Sequence, residues 1–207
     1  MIVRQVLKRI IKRIKGPKAL VLFGARQVGK STLLKQLETH FEKPILRLNG
    51  DEADVRNLFT ELTSSKLNAI IGQNKTLLID EAQRINDIGL AIKLITDNRP
   101  DVKVIATGSS SFDLANKLNE PLTGRKWEFK IFPLSFSEMV NHHGLLTERR
   151  LLENRLIYGY YPEIVTHLGD EKMLLKSLVD SYLYKDVLIY KINSSKFSEV
   201  IICPSAS

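Results

Sequence analysis

The sequence predicts an α/β domain with a mainly parallel, five-stranded sheet covered by helices, followed by a small helical extension. Three observations carry this prediction. Five short apolar segments of β-type composition alternate with segments of helical periodicity between residues 17 and 134. Such alternation implies crossover connections, which make neighbouring strands parallel. From residue 135 onward only helical patterns follow, and 207 residues suffice for one domain with a small appendage.

The first element is a basic amphipathic helix over residues 2–15, ended by Gly16 and Pro17. Its apolar residues recur at helical spacing, and lysine and arginine fill the other face. One interpretation is a helix that packs on the domain by its apolar stripe and leaves its basic face in solvent. The other is a helix that contacts DNA or an anionic membrane. A stripe this regular must be buried against other apolar residues, which favours the interpretation of a helix packed on the domain.

The remaining elements follow in order along the chain. Predicted strands cover residues 19–23, 45–49, 76–80, 103–107 and 128–132, and predicted helices cover 31–41, 88–98, 112–118, 136–142, 148–156 and 171–186. Most of these strands are apolar throughout, as in sheets buried on both faces. We divide the chain into an N-terminal helix (1–16), a core (17–134), a helical lid or linker (135–192) and a tail (193–207).

Composition excludes several classes of protein. The net charge is +8, but ten of the 31 basic residues and none of the 23 acidic ones fall within residues 1–37, so the rest is slightly acidic. Basic charge therefore does not cover a broad face, as it would in a nucleic-acid coat protein. A single cysteine, Cys203, excludes an intramolecular disulfide framework. The longest apolar run, 19–23, is far shorter than the ~20 residues that span a bilayer. With no signal-peptide pattern, we expect a cytoplasmic protein without a membrane span.

A glycine-rich segment after the first strand matches the phosphate-binding loop pattern G-x-x-x-x-G-K-[ST]. Its glycines let successive backbone N–H groups converge on phosphate oxygens, and the lysine places a charge on them. The serine hydroxyl can ligate Mg²⁺, and the dipole of the following helix favours the anion. The segment therefore predicts binding of a nucleoside triphosphate by Gly24, Ala25, Arg26, Gln27, Val28, Gly29, Lys30, Ser31 and Thr32.

Two carboxylates, Asp80 and Glu81, end the third predicted strand. An NTPase with such a loop needs an acid at a strand tip to hold Mg²⁺, and Asp80 fits this role together with Ser31. Glu81 fits the general base that polarises the attacking water. A second carboxylate points toward ATP hydrolysis. The guanine-reading pattern N-K-x-D is absent after a strand, which also favours adenine.

Three later positions are candidates for contacts with the phosphates. Ser109 or Thr107, at the tip of the fourth strand, can bind the γ-phosphate or the water, or can cap the next helix. Arg125 can stabilise charge on the transferred phosphoryl group, within its own subunit or a neighbour, or can cap turn carbonyls. Arg26 competes for the same role. The four histidines show no metal-ligand spacing and are interpreted as surface or packing residues: His40, His142, His143 and His167.

With these motifs in place, the chain resembles the prokaryotic AAA-type P-loop ATPases of the AAA+ superfamily, in a poorly characterised branch with many members known only as "ATP-binding protein". The resemblance rests on GARQVGKSTLL (24–34), LLIDEAQRI (77–85), VIATGSSSFDL (104–114), LTGRKWEFKIFPLSFSEM (122–139), YGYYPEIV (158–165) and SYLYKDVL (181–188). The first two motifs occur in many ATPases, whereas the LTGR–PLSFSEM and YGYYPE stretches are more specific to this branch.

The resemblance implies a five-stranded ATPase core with a strand inserted between the loop strand and the acidic strand. It implies ATP with Mg²⁺, Ser109 as a sensor, and Arg125 near the nucleotide. It also implies that hydrolysis switches a partner or a C-terminal module. Relatives continue into a winged-helix-like segment and a nuclease-like domain, whereas residues 200–207 do not resemble that continuation. We therefore expect 193–207 to be a tail left by truncation or frameshift.

The leading functional hypothesis is a Mg²⁺-dependent ATPase, with Glu81, Lys30, Arg125 and Ser109 in the chemistry and a homo-oligomer as a candidate assembly. One alternative is a small P-loop kinase, for which Arg149 and Arg150 are further candidate arginines. The other is a non-hydrolytic, nucleotide-gated switch that binds DNA through the basic N-terminal helix. Its DNA affinity should depend strongly on salt, because neutralised phosphates release counterions.

Overall fold

The computed structural model describes residues 2–109 and 121–182, with the side chains of Ser181 and Tyr182 left aside. The helix predicted at 112–118 and the tail predicted at 193–207 lie outside the described residues. So does the part of the last predicted helix beyond Tyr182.

A parallel five-stranded sheet forms the centre of the fold, as the sequence predicts. Its strands lie side by side in the order β2-β3-β4-β1-β5. Their bounds are β1 Ala19–Gly24, β2 Ile45–Asn49, β3 Thr76–Asp80, β4 Lys103–Gly108 and β5 Lys126–Ile131. Strand β4 separates the loop strand β1 from the acidic strand β3, as the family resemblance implies. Four strands match their predicted positions within one residue, and β5 begins two residues earlier than predicted.

Helices cover both faces of the sheet, so the core has two halves. Alternate residues of β1 point to opposite sides, since Val21 packs in one apolar cluster and Leu22 in the other. Helix α5 lies on the first side, and helices α1 and α2 lie on the second. The three inner strands are buried almost throughout, whereas the edge strands β2 and β5 are partly exposed. This burial explains why the inner strands are the most apolar segments of the sequence.

Two of the five core helices, α1 and α2, are shorter than their periodicity suggests. The five are α1 Val6–Ile14, α2 Lys30–Leu37, α3 Ala53–Leu58, α4 Ser64–Ile71 and α5 Ile88–Asn98. Helix α5 matches its prediction. The predicted helix 31–41 begins one residue earlier and gives way to a 3-10 turn at Glu38–His40. Sequence reasoning missed α3 and α4, which fill the connection between β2 and β3.

Helix α1 packs on the core by its apolar stripe. Ile10 is fully buried and Ile14 is 8% exposed, both in the same cluster as α2 and the sheet. Arg13 and Lys18 lie over the ring of Trp127 at 4.3 and 4.8 Å from its centre. The structure therefore confirms the packed helix, although it begins only at Val6 rather than at residue 2. None of the helices in the described ranges is long and apolar enough to cross a membrane.

Within the described residues, only helices follow β5. They are α6 Phe136–His143, α7 Leu145–Arg150, α8 Leu152–Tyr158, α9 Pro162–Thr166 and α10 Glu171–Tyr182. The prediction of one helix over 148–156 is wrong, because the helix is interrupted at Leu151, between α7 and α8. A buried ion pair joins the two helices, since Glu148 on α7 lies 3.5 Å from Arg155 on α8. Helix α9 was not predicted, since five residues are too short for a periodic pattern.

Candidate functional site

The glycine-rich segment forms a tight turn between β1 and α2. Strand β1 ends at Gly24, and α2 begins at Lys30 behind Gly29, whose φ of 91° suits glycine. A Cβ atom on Gly24 would lie 2.6 Å from the Ile131 carbonyl oxygen and 2.9 Å from Val28 Cγ2, so only glycine fits there. The nine predicted phosphate-binding residues thus lie together at the carboxyl end of β1 and the first turn of α2.

Lys30 turns back over the loop. Its Nζ donates hydrogen bonds to the carbonyl oxygens of Gly24 at 2.8 Å and Ala25 at 2.9 Å, and the residue is 7% exposed. Burial lowers the pKa of Lys30, while the charges of Glu81 and Asp80 act to raise it. The lysine and the acidic pair are therefore neighbours. A buried cation held by carbonyls alone is a favourable partner for an incoming anion.

The acidic pair lies at the carboxyl end of β3, as predicted. Asp80 accepts hydrogen bonds at Oδ1 from the Thr107 hydroxyl and, at 3.1 Å, from the Glu81 backbone N–H. Glu81 has a positive φ of 48°, in the left-handed region that residues other than glycine seldom adopt. Its Oε2 accepts a hydrogen bond from Gln83 Nε2 at 2.5 Å. Hydrogen bonds from neighbouring groups thus orient both carboxylates.

A cavity of about 600 Å³, a volume usual for ligand pockets, lies beside the loop, Lys30 and Glu81, whereas Asp80 is not among its lining residues. It is lined by Arg26, Gln27, Gly29, Lys30, Ser31, Thr32, Asp51, Glu81, Arg84, Pro162 and Glu163. The lining fits a nucleoside triphosphate with Mg²⁺, since backbone N–H groups, cations, a hydroxyl and carboxylates meet in one place. A larger cavity of about 850 Å³, beside Ile45 at the start of β2, contains neither the loop nor the acidic pair.

Four residues of this cavity were missed by sequence reasoning. Asp51 follows β2, and its Oδ1 lies 3.5 Å from Nε of Arg84, three residues after Glu81. Gly50 allows this approach, because a Cβ there would lie 2.4 Å from the Glu81 carbonyl oxygen. Pro162 and Glu163 come from α9, in the YGYYPE stretch. That stretch is one of the more family-specific segments, yet nothing in its spacing indicates that it reaches the phosphate loop.

Ser109 directly follows β4, the strand between β1 and β3, and is partly buried. The carboxyl ends of parallel strands lie at the same end of the sheet. Ser109 therefore lies at the end that carries the loop and the acidic pair. The Thr107 hydroxyl is bound to Asp80. Ser109 and Thr107 therefore both stay candidates for a contact with phosphate.

Arg125 lies at the amino end of the strands, opposite the end that carries the loop and the acidic pair. It precedes β5, and its carbonyl oxygen accepts a hydrogen bond from the N–H of Ala19, the first residue of β1. Five strand residues, or about 17 Å, separate that end from the phosphate loop. Its Nε pairs with Asp97 Oδ1 at 2.8 Å. This position disfavours the alternative in which Arg125 reaches the nucleotide of its own subunit, and its role near the nucleotide stays a prediction.

None of the four histidines lines the 600 Å³ cavity, and three of them make local contacts. His143 pairs with Glu148 at 2.7 Å, and His40 and His167 bond to the adjacent threonines, Thr39 and Thr166. Among the residues that the structure describes, no three His, Cys, Asp or Glu side chains group as a metal site. A Mg²⁺ site made from one hydroxyl, one carboxylate and phosphate oxygens does not need such a group.

Comparison with known proteins agrees with this geometry. The sequence model of the AAA domain family matches residues 16–140. A Haemophilus influenzae protein, itself described as uncharacterized, is 28% identical over 194 residues, which cover 81% of this chain and 45% of that protein. The chain thus spans less than half of that relative's length.

Two solved structures are similar to the chain. One is the Aeropyrum pernix ORC1 protein in complex with DNA, with 15% identity, a TM-score of 0.46, and 70% of this chain and 48% of that one covered. The other is the Thermotoga maritima RuvB Holliday junction branch migration motor, with 16% identity, a TM-score of 0.45, and 74% of this chain and 52% of that one covered. Because the family match extends over more than half of the chain, from the start of β1 through β5, the protein belongs to the AAA domain family of P-loop ATPases.

Proposed function

We propose that the chain binds ATP and, with Mg²⁺, hydrolyses it to ADP and phosphate. The observation that carries this proposal is the convergence of Lys30, Ser31 and Glu81 on one cavity of about 600 Å³. Transfer of a phosphoryl group to water needs a cation, a metal-binding hydroxyl and a carboxylate at one place. The family membership supports the same type of function.

The phosphate loop provides the binding energy in this proposal. Residues 24–32 present backbone N–H groups and the α2 N-terminus to the phosphates. Lys30 leaves its two carbonyl partners and donates to phosphate oxygens instead. Ser31 and Asp80 hold Mg²⁺, which neutralises phosphate charge when it is bound. Thr107 keeps the Asp80 carboxylate oriented for that role.

Glu81 is the proposed base. Its carboxylate borders the cavity and is oriented by Gln83, so it can accept a proton from a water that attacks the terminal phosphate. We assign Ser109 as the sensor of that phosphate, because it shares the sheet edge with both motifs. Arg26 and Arg84 also border the cavity and add positive charge there.

Arg125 has a place in this function only across an interface. It lies about 17 Å from the loop of its own subunit, is half-exposed, and pairs with Asp97, which is equally exposed. An exposed pair of this kind is weak and can exchange partners. We therefore propose a homo-oligomer in which Arg125 of one subunit approaches the cavity of the next.

A nucleotide-gated contact with DNA is a second candidate function. The observation that favours it is the outer face of α1, where Lys8, Arg9 and Lys12 are exposed after the apolar stripe has packed. Its test is DNA affinity as a function of salt, with and without ATP. Affinity that is absent, or unchanged by salt, removes this function. For a kinase we find no favouring observation: Arg149 and Arg150 are exposed on α7 and do not line the cavity.

The wider role follows from the family resemblance. We propose that the ATPase switches a partner or a C-terminal module, since the Haemophilus influenzae relative is more than twice as long as the matched part. ATP and Mg²⁺ are the required small molecules, and we place the protein in the cytoplasm, where both are supplied.

The test is ATP binding and turnover by the wild type, Lys30→Ala and Glu81→Gln. We expect Lys30→Ala to lose about 10- to 100-fold in affinity, the usual effect of losing a charged hydrogen bond. Glu81→Gln should bind normally and lose about 100- to 10,000-fold in turnover. Tight binding without turnover in the wild type would refute hydrolysis and favour the gated switch.

A further inference from the structure

A buried arginine contacts the phosphate loop without lining the nucleotide cavity. Arg4 precedes α1, is 7% exposed, and does not belong to the basic face of that helix. It lines a separate cavity of about 270 Å³ together with Phe132, Pro133 and Glu138. The family model begins at residue 16, so Arg4 lies outside the matched segment.

The guanidinium of Arg4 connects the loop to the start of the helical extension. Its Nη1 donates to the Val28 carbonyl oxygen at 2.8 Å, and its Nη2 donates to the carbonyl oxygens of Phe132 and, at 3.4 Å, Pro133. Its Nε lies 3.3 Å from Glu138 Oε1. That carboxylate also accepts the Gln5 backbone N–H at 2.7 Å, so the arginine is held in one orientation.

The bond to Val28 fixes the direction of a peptide group in the loop. The Val28–Gly29 peptide is trans, so its carbonyl and the N–H of Gly29 point in opposite directions. Arg4 holds the carbonyl on its own side, and its Nη1 lies 3.6 Å from the place that a Cβ on Gly29 would take. The N–H of Gly29 therefore points away from the Arg4 guanidinium, and Gly29 itself lines the nucleotide cavity.

Resting on the proposed binding of ATP, we propose that Arg4 is a positioning residue of the phosphate site. It keeps the Gly29 N–H directed at phosphate before the ligand arrives, which lowers the cost of organising the loop on binding. Its own charge adds little attraction for phosphate, because Glu138 neutralises it. The contribution therefore comes from the peptide orientation rather than from the charge.

The test measures binding of ATP and inorganic tripolyphosphate, together with the NMR signal of the Gly29 amide. We expect Arg4→Met to lose about 10-fold in affinity for both ligands, the usual effect of one hydrogen bond to a charged group. In the wild type, tripolyphosphate should shift the Gly29 amide proton downfield. In Arg4→Met that shift should be lost, a change that a purely structural role of Arg4 would not produce.

Three further variants separate the loop contact from other effects. Arg4→Met/Glu138→Gln leaves no unpaired buried charge and should show the same loss of affinity, which keeps the test valid if Arg4→Met folds poorly. Arg9→Gln removes an exposed charge from the same segment and should also bind normally. Arg4→Lys, which can still donate to Val28, should recover part of the affinity.

Two results would overturn this inference while ATP binding itself stands. One is unchanged affinity in Arg4→Met and in the double variant. The other is a Gly29 amide that still shifts downfield in those variants. If the wild type binds neither ATP nor tripolyphosphate, the proposed nucleotide site is refuted, and the role of Arg4 with it.

Discussion

Gly24 shows how a single residue constrains the site. The residue has no room for a side chain, because a Cβ would lie 2.6 Å from the Ile131 carbonyl oxygen and 2.9 Å from Val28 Cγ2. Both neighbours are parts of the sheet or the loop and cannot move independently. The close packing of β1 against β5 at this point therefore depends on the absence of a Cβ.

We predict that Gly24→Ala lowers the free energy of unfolding by about 1–3 kcal/mol, as overpacking usually does. It should also weaken ATP binding, since the loop must shift. Chemical denaturation and a binding titration measure the two effects. Gly16→Ala is the matched control, because its Cβ would have only an ordinary contact at 3.6 Å. Equal stability of the two variants would contradict the argument.

At the scale of an element, Lys103 at the start of β4 holds the end of α1. Its Nζ donates to the carbonyl oxygens of Arg13, Gly16 and Lys18, at 3.1, 2.8 and 2.5 Å. Arg13 lies in the last turn of α1, and Gly16 and Lys18 lie in the connection from α1 to β1. The lysine thus fixes the N-terminal helix on the sheet, and burial lowers its pKa to about 8.

This pKa predicts a pH dependence of stability. Below about pH 8 Lys103 is charged in both the folded and the unfolded protein. Between about pH 8 and the unfolded value of 10.5, the unfolded protein binds more protons, so stability rises with pH. The free energy of unfolding of the wild type, minus that of Lys103→Met, should therefore increase from pH 7 to pH 10. A flat or falling difference would contradict it.

Helix α6 starts with a capping box that also orders the contacts of Arg4. Ser135 accepts the Glu138 backbone N–H at 3.2 Å, and Glu138 accepts the Ser135 backbone N–H at 2.8 Å. We predict that Ser135→Ala lowers the free energy of unfolding by about 1 kcal/mol. The exposed Ser137→Ala should change it by less than about 0.5 kcal/mol, as for other surface substitutions. Thermal denaturation of both variants makes the comparison.

At the scale of the whole molecule, the position of Arg125 predicts complementation between subunits. Lys30→Ala lacks a working loop but keeps Arg125, whereas Arg125→Ala keeps an intact cavity. If the arginine acts across an interface, each variant should be weak alone, and a mixture should regain ATP turnover. A mixture that equals the mean of its components would refute the proposed role. Size-exclusion chromatography with light scattering, run with ATP, should show the oligomer.

Local patterns by themselves determined the fold class, the five strands, the phosphate loop and the acidic pair. These features are readable because they depend on neighbouring residues: an apolar run makes a buried strand, and G-x-x-x-x-G-K-S folds within eight positions. The parallel sheet then brings the loop and Asp80 to one edge. Sequence periodicity did not predict the short helices α3, α4 and α9, because each is shorter than the window over which a helical period can be recognised.

Only the tertiary structure decided which distant residues share the site. Arg4 looked like one more charge of a basic helix, yet it is buried behind the loop. The sequence suggests Arg125 as a phosphate ligand, yet the direction of β5 places it at the amino end of the strands, opposite the phosphate loop. Arg84, Asp51 and Pro162 reach the cavity from three separate segments. The physical reason is that strand order and crossover connections set these positions, and sequence spacing does not record them.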